Sequence, residues 1–249
     1  MDLIHDTHHG RRYPRFGMML NSDTGPPTDR IEAIAMINRG AVMMIASVSL
    51  AVSVGLAIAT TLALVPASRT LSATASVAMS VLSIGVPFIA AVQAVRHAQH
   101  EPSGFSRMYA RTFATALGLG LVVAVACLII GFACGARLHN APAIVGGSLI
   151  AQAVAHLVGT GLGLLLARPV IASALTVILP IGLWLLLGVL LPPARDWLTP
   201  LPSANRWWSG TLTGEYLPRF AIMVLLWAVL PNAAGVILTG ARWKRQPSQ

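Results

Sequence analysis

Charge is what this chain has least of. Only 10% of its 249 residues are Asp, Glu, Lys or Arg, against about 25% in an ordinary soluble domain. Lys244 is the single lysine. A Gly-x4-Gly-Lys-Ser/Thr phosphate loop needs a lysine that reaches the nucleotide phosphates, so this chain cannot build that kind of ATP site. No Asp, Glu, Lys or Arg falls deep inside any long apolar run. That excludes a membrane carboxylate pair and leaves none of the midplane carboxylates typical of ion-driven transporters. His156 is the one ionisable group at such depth. Two cysteines, Cys127 and Cys134, lie seven apart on one predicted helix, about 10 Å along its axis. They are too far apart for a disulfide in a straight helix and read as buried apolar thiols. No His, Cys or Asp cluster has zinc spacing; His5, His8 and His9 read as a solvated run with at most weak metal affinity.

What is abundant is apolar length. Hydrophobic residues make up 55% of the chain and the mean hydropathy is +0.73. A spanning helix needs about 20 mostly apolar residues, and six runs meet this, at 41–65, 74–95, 112–135, 143–167, 170–192 and 218–240. The expected fold is all-α and polytopic, a permease domain over 29–240 between a flexible arm (1–28) and a basic tail (241–249). The first run starts too late and is too long for a cleavable signal peptide, so it is expected to be retained. An intramembrane serine protease fails on geometry, because eight helical residues separate Ser148 from His156, about 12 Å.

Cytoplasmic loops near spans collect Lys and Arg. Arg11, Arg12, Arg15, Arg30, Arg39, Arg96, Arg107, Arg111, Arg168, Arg242, Lys244 and Arg245 fall on one side, twelve against five on the other (Arg69, Arg137, Arg195, Arg206 and Arg219). Both termini are therefore expected in the cytoplasm. The net charge of +9 is topological, and nucleic acid is not needed to explain it. Trp197, Trp207 and Trp208 are expected at the outer interface and Trp243 at the inner one.

Asp29 and Glu32 form a capping-box pattern, with Ile31, Ile34, Ala35 and Asn38 on one face, which predicts a short amphipathic helix at 29–39 along the inner membrane surface. Its alternative is an extension of the first span. The segment from Arg96 to Arg107 reads as the longest internal cytoplasmic loop. In the fourth span Ser148, Gln152 and His156 make a polar stripe, continued by Gly159, Thr160 and Gly163. Such a stripe faces protein or water. It lines a path or packs as an interface; packing is the simpler reading, and Gln93, Gln152 and His156 are kept as candidate path residues. Pro87 and Pro180 interrupt spans two and five. Between Pro192 and Pro218, two short half-inserted helices bent around Pro200 and Pro202 are expected.

The Gly-rich end of the fourth span, Leu157-Val-Gly-Thr-Gly-Leu-Gly-Leu-Leu-Leu-Ala-Arg168, resembles the ABC-2-type exporter permeases, in particular the six-span kind common in high-GC Gram-positive bacteria. So do the outer Leu198-Thr-Pro-Leu-Pro-Ser-Ala-Asn205 segment, Trp227, and the basic end Arg242-Trp-Lys-Arg245. The likeness extends over about 29–245. Two features depart from it: the segment Ile31–Arg39 has no lysine, and Gln93 stands near where many members carry Glu.

The resemblance implies a subunit in the bacterial cell membrane that pairs with a second permease chain, identical or not. Two cytoplasmic ATP-binding subunits would hold the ATP and Mg, leaving no cofactor and no catalytic site in this chain. Arg96, His97, Glu101 and Arg107 would then belong to a coupling loop, flanked by the helix at 29–39. The implied cargo is amphipathic or hydrophobic: a peptide antibiotic, a drug or a lipid-like molecule. Two alternatives stay open. One is the substrate-capturing membrane subunit of a vitamin importer, and the other is a membrane scaffold or enzyme with no ATPase partner.

Overall fold

The computed structural model describes residues 28–100, 104–211 and 213–244, with side chains from Gly40 onward except at His100. His5, His8, His9, the arginines of the arm, Glu101 and Arg245 lie outside the described residues. The chain divides into two units, Met1–Arg39 and Gly40–Gln249. In the first, the described backbone is helical from Thr28.

Long apolar runs and the prolines between them set the helices. They are α1 (Thr28–Ala63), α2 (Leu71–His100), α3 (Phe105–Ala133), α4 (Ala141–Leu166), α5 (Pro169–Leu190), α6 (Pro192–Leu198), α7 (Pro200–Ser209), α8 (Leu217–Val224) and α9 (Leu230–Lys244). A π-helical turn, Leu225–Val229, joins α8 to α9. Proline sits in the first turn of α4, α5, α6, α7 and α8, where its missing N–H costs no helical bond. Six helices are long and apolar enough to cross a membrane, the sixth being the composite Gly214–Lys244. Their outward faces are apolar: Leu62, Ile129, Phe132, Val189 and Ile237 are 60–82% exposed. Apolar faces of this extent are not tolerated in water, whereas lipid solvates them and helices satisfy their own backbone within it. The protein is an all-α polytopic membrane protein.

Helix α2 is the centre of the bundle, with 56% of its most apolar stretch buried against 11% for the part of α1 beyond Gly40. Small residues let α4 reach it. Gly159 lies against the backbone of Pro87, and a Cβ on Gly163 would stand 2.7 Å from the Ala91 carbonyl and 2.9 Å from Ala94 Cβ. On the adjoining face of α4, Gly161 meets Pro231 and Asn232, while Gly235 of α9 meets Leu164. The Gly-rich run thus packs two neighbours at once, the small-residue packing usual in lipid. Asn232 closes the second contact: its Nδ2 donates to the Leu157 and Ala228 carbonyls, both at 2.7 Å, and its Oδ1 accepts from the Tyr109 hydroxyl at 2.6 Å.

At the end opposite the arginine-rich one, the α1–α2 and α3–α4 loops are sewn together. Leu71 N donates to the Arg137 carbonyl and Arg137 N to the Arg69 carbonyl, each at 3.0 Å. Arg69 also donates to the Cys134 carbonyl at 3.2 Å, and Arg137 to that of Ala67. The other three arginines of this end lie over aromatic rings: Arg195 over Trp184, Arg206 over Tyr216, and Arg219 over Trp197 and Tyr216.

Several expectations are corrected. The segment at 29–39 is helical, within the bounds of α1 (Thr28–Ala63). Most of the loop expected from Arg96 to Arg107 is helix: α2 continues to His100 and α3 starts at Phe105. No breaker precedes Pro102, and Gly104, at φ 96°, supplies the left-handed turn before α3. The basic tail does not begin at 241, because α9 runs on through Lys244. Trp207 and Trp208, expected to face the outer interface, are buried against other helices, at 6% and 3% exposure. They belong to α7, which packs onto α4 where Gly147 meets the Trp207 backbone.

Candidate functional site

The two short helices expected around Pro200 form, broken at Thr199. The break is held from the sixth span, where Trp227 Nε1 donates to the Leu198 carbonyl at 2.7 Å. That span is itself bent. Pro231 has no N–H for the Trp227 carbonyl, and the π-helical turn just before it absorbs the mismatch. With α6 and α7 so fixed, α7 closes one end of a cleft between α2, α4 and α5.

This cleft has a volume of about 250 Å³. Its walls are apolar, with Ala151, Val154, Ala155 and Val158 from α4 and Met223 from α8. Trp207 and Phe220 form an aromatic shelf, their ring centroids 4.6 Å apart. Pro87 and Pro180 both line it, and so does the residue four before each, Ser83 and Thr176. A proline cannot donate to the carbonyl four residues earlier. The Ser83 and Thr176 carbonyls therefore lack their regular helical donors on the walls of the same cleft. The hydroxyls nearby are committed as donors: Ser80 Oγ to the Ser76 carbonyl at 2.6 Å and Thr176 Oγ1 to that of Ser173 at 2.7 Å. Their lone pairs remain. No charged side chain lines the cleft among the described residues.

The polar stripe of α4 faces away from this space. Gln152 is fully buried, and its Nε2 donates to Ser83 Oγ at 2.9 Å. It stands behind the cleft wall rather than in it. His156, 1% exposed, pairs through Nε2 with Thr112 Oγ1 at 3.2 Å and meets Phe113 edge-on at 5.8 Å. The Thr112 and Thr160 hydroxyls also lie within hydrogen-bond distance of the Met108 and His156 carbonyls. Ser148 Oγ and Gln152 Oε1 are buried with no hydrogen-bond partner among the described residues. Gln93 is half-buried on α2 and lines no part of the cleft.

Arg96 and His97 lie in the last turns of α2, and Arg107 is exposed in the first turn of α3. His97 meets Phe105 edge-on at 5.2 Å, which brings the two helix ends together. Trp243 Nε1 donates to the Ala98 carbonyl at 2.8 Å, and Arg242 donates to the Leu164 and Leu165 carbonyls at 3.3 and 2.8 Å. A cation on the last carbonyls of α4 also suits the negative end of its dipole.

The cleft residues Ser80, Ser83, Thr176 and Phe220 were not singled out by sequence reasoning. Their signal was present, in a Ser or Thr four residues ahead of an in-span proline, occurring twice. Comparison with protein-family models, with curated proteins and with solved structures returns no match for this chain.

Proposed function

We propose that the chain is the membrane subunit of an ATP-driven exporter for apolar or amphipathic cargo. The observation that carries this reading is the cleft: an uncharged cavity bounded by two proline-interrupted spans and closed at one end by a helical hairpin. Apolar cargo is matched by such walls, and a proline-interrupted helix gives a place for bending. Work against a gradient needs an energy source, and cytoplasmic ATP-binding subunits are the partners that supply it. Arg96, His97 and Arg107, gathered at the arginine-rich end, are the residues proposed to meet them, together with Glu101. The arginine asymmetry supports a cytoplasmic placement of that end and of both termini. The Gly-rich α4 and the Leu198–Asn205 segment support the same reading through their likeness to ABC-2-type permeases, which pair with a second permease chain.

Mild-detergent purification of the tagged chain from its native host, followed by mass spectrometry, tests this. An ATP-binding subunit in near-stoichiometric amount is the expected result. Recovery of the chain alone, while other membrane complexes stay whole, overturns it. Charge reversal at Arg96, Glu101 and Arg107 together is expected to abolish partner-stimulated ATP hydrolysis. One observation favours a second reading, the capture subunit of a vitamin importer: the cleft lies within a single chain. Tight binding of a vitamin by the isolated chain would select it.

A further inference from the structure

We infer that a second cavity, at the arginine-rich end between the last turns of α2 and α9 and the α4–α5 turn, binds the phosphate of an anionic phospholipid from the adjoining leaflet. It is separate from the cleft, and the inference does not rest on the exporter reading. The cavity measures about 190 Å³ and is lined by Ala98, Gln99, Ala167, Thr239, Arg242 and Trp243. At about 30 Å³ per water that is room for roughly six, enough for a phosphate together with its esterified glycerol.

Charge selects an anion. Arg242 is the one cation of the lining, and no acid accompanies it among the described residues. Its Nη1 and Nη2 donate to the Leu164 and Leu165 carbonyls. Those bonds hold the guanidinium in place and use two of its five N–H groups. Between Gly40 and Lys244 this end of the chain carries Arg96, Arg107, Arg111, Arg168, Arg242 and Lys244 against a single carboxylate, Glu101. A fixed guanidinium with donors to spare suits the paired oxygens of a phosphate.

The wall supplies a second donor. Thr239 is 2% exposed, and its hydroxyl has no hydrogen-bond partner among the described residues. Thr61, Thr112, Thr160 and Thr176 are also buried in helices, yet each donates to a carbonyl of its own helix. A buried hydroxyl left unpaired costs free energy, and a phosphate oxygen removes that cost. Trp243 sets the depth. Its Nε1 donates to the Ala98 carbonyl at 2.8 Å, which fixes the indole at the end of the sixth span, the level at which tryptophan rings and lipid headgroups meet. A soluble anion shares the phosphate chemistry but not this depth, and its acyl chains give a lipid the further attraction of the apolar span faces.

The test uses the full chain, with any subunit that co-purifies, in mild detergent. It is titrated with phosphatidylglycerol, with phosphatidylcholine and with glycerol 3-phosphate, and bound species are counted by native mass spectrometry. Phosphatidylglycerol is expected to bind at least about fivefold more tightly than phosphatidylcholine, and glycerol 3-phosphate is expected not to be retained. Arg242→Gln is expected to weaken the phosphatidylglycerol complex at least about tenfold. Because Arg242 also caps α4, Thr239→Val is the second variant. It replaces an unpaired hydroxyl with a methyl group, so the lipid-free melting temperature is expected to hold or rise while lipid binding falls about tenfold. Arg111→Gln, an exposed cation of the same end that does not line the cavity, is expected to leave binding within about twofold.

The inference is overturned if the two lipids bind alike, if both Arg242→Gln and Thr239→Val leave binding unchanged, or if Arg111→Gln weakens it as much as they do, since the attraction would then belong to the whole end. Glycerol 3-phosphate held as tightly as the lipid would overturn the lipid source. A co-purified ATPase bears on none of these outcomes, so the exporter reading and this site stand or fall separately.

Discussion

Gly159 packs against the backbone of Pro87 so closely that a methyl group has no room. Backbone cannot swing aside as a long side chain can, so Gly159→Ala is expected to cost about 1–3 kcal/mol, the usual range for overpacking. The check is a thermal melt of the detergent-solubilised protein beside Gly182→Ala. Gly182 has nothing within 4 Å of its ideal Cβ, and alanine there is expected to be neutral or to stabilise slightly. Asn232 makes the complementary case, since its three hydrogen bonds tie α3, α4 and its own helix. Asn232→Leu leaves the Tyr109 hydroxyl without its acceptor and is expected to cost about 1–3 kcal/mol. Adding Tyr109→Phe removes the orphaned group, so the double variant is expected to melt above Asn232→Leu alone. A plain sum of the two losses in that double-mutant cycle would show that the pair is not coupled.

At the scale of the element, one indole holds the break in the α6–α7 hairpin. Trp227→Phe keeps the ring and loses the N–H to the Leu198 carbonyl, at a cost of about 0.5–1.5 kcal/mol. The local effect is expected to be larger than the global one. Thr199, at the break, is fully buried, so a Thr199→Cys thiol is expected to react slowly with a water-soluble reagent and at least several-fold faster in the Trp227→Phe background. Equal rates would mean that other contacts hold the hairpin. This hairpin was legible in the sequence, because Pro192, Pro200 and Pro202 forbid a continuous helix. The burial of Trp207 and Trp208 was not. Tryptophan is as much at home in a membrane interface as in a core, and the burial comes from the close approach of α7 to α4 at Gly147. The ends of α2 and α3 were misjudged for a related reason. Polar residues such as Arg96, His97 and Arg107 mark where a helix leaves the apolar layer, not where it stops being a helix. The cleft itself was missed because its lining comes from α2, α4, α5, α7 and α8, which no local pattern in the sequence brings together.

At the scale of the whole molecule the six spans were legible from hydropathy alone, since nothing but length and apolarity is asked of them. Their sidedness is a further expectation. In a Cys127→Ala, Cys134→Ala background, Ser68→Cys and Ser106→Cys occupy exposed positions at opposite ends. A membrane-impermeant thiol reagent added to intact cells is expected to label the first and spare the second. The reverse pattern would invert the protein and move the proposed ATPase contact to the wrong face. The stitching of Arg69 and Arg137 across two loops has a mechanical corollary. Four bonds join those loops, two through backbone N–H groups and two through guanidinium groups. They tie the α1–α2 connection to the α3–α4 connection, so that these two helical pairs are braced against each other at that end.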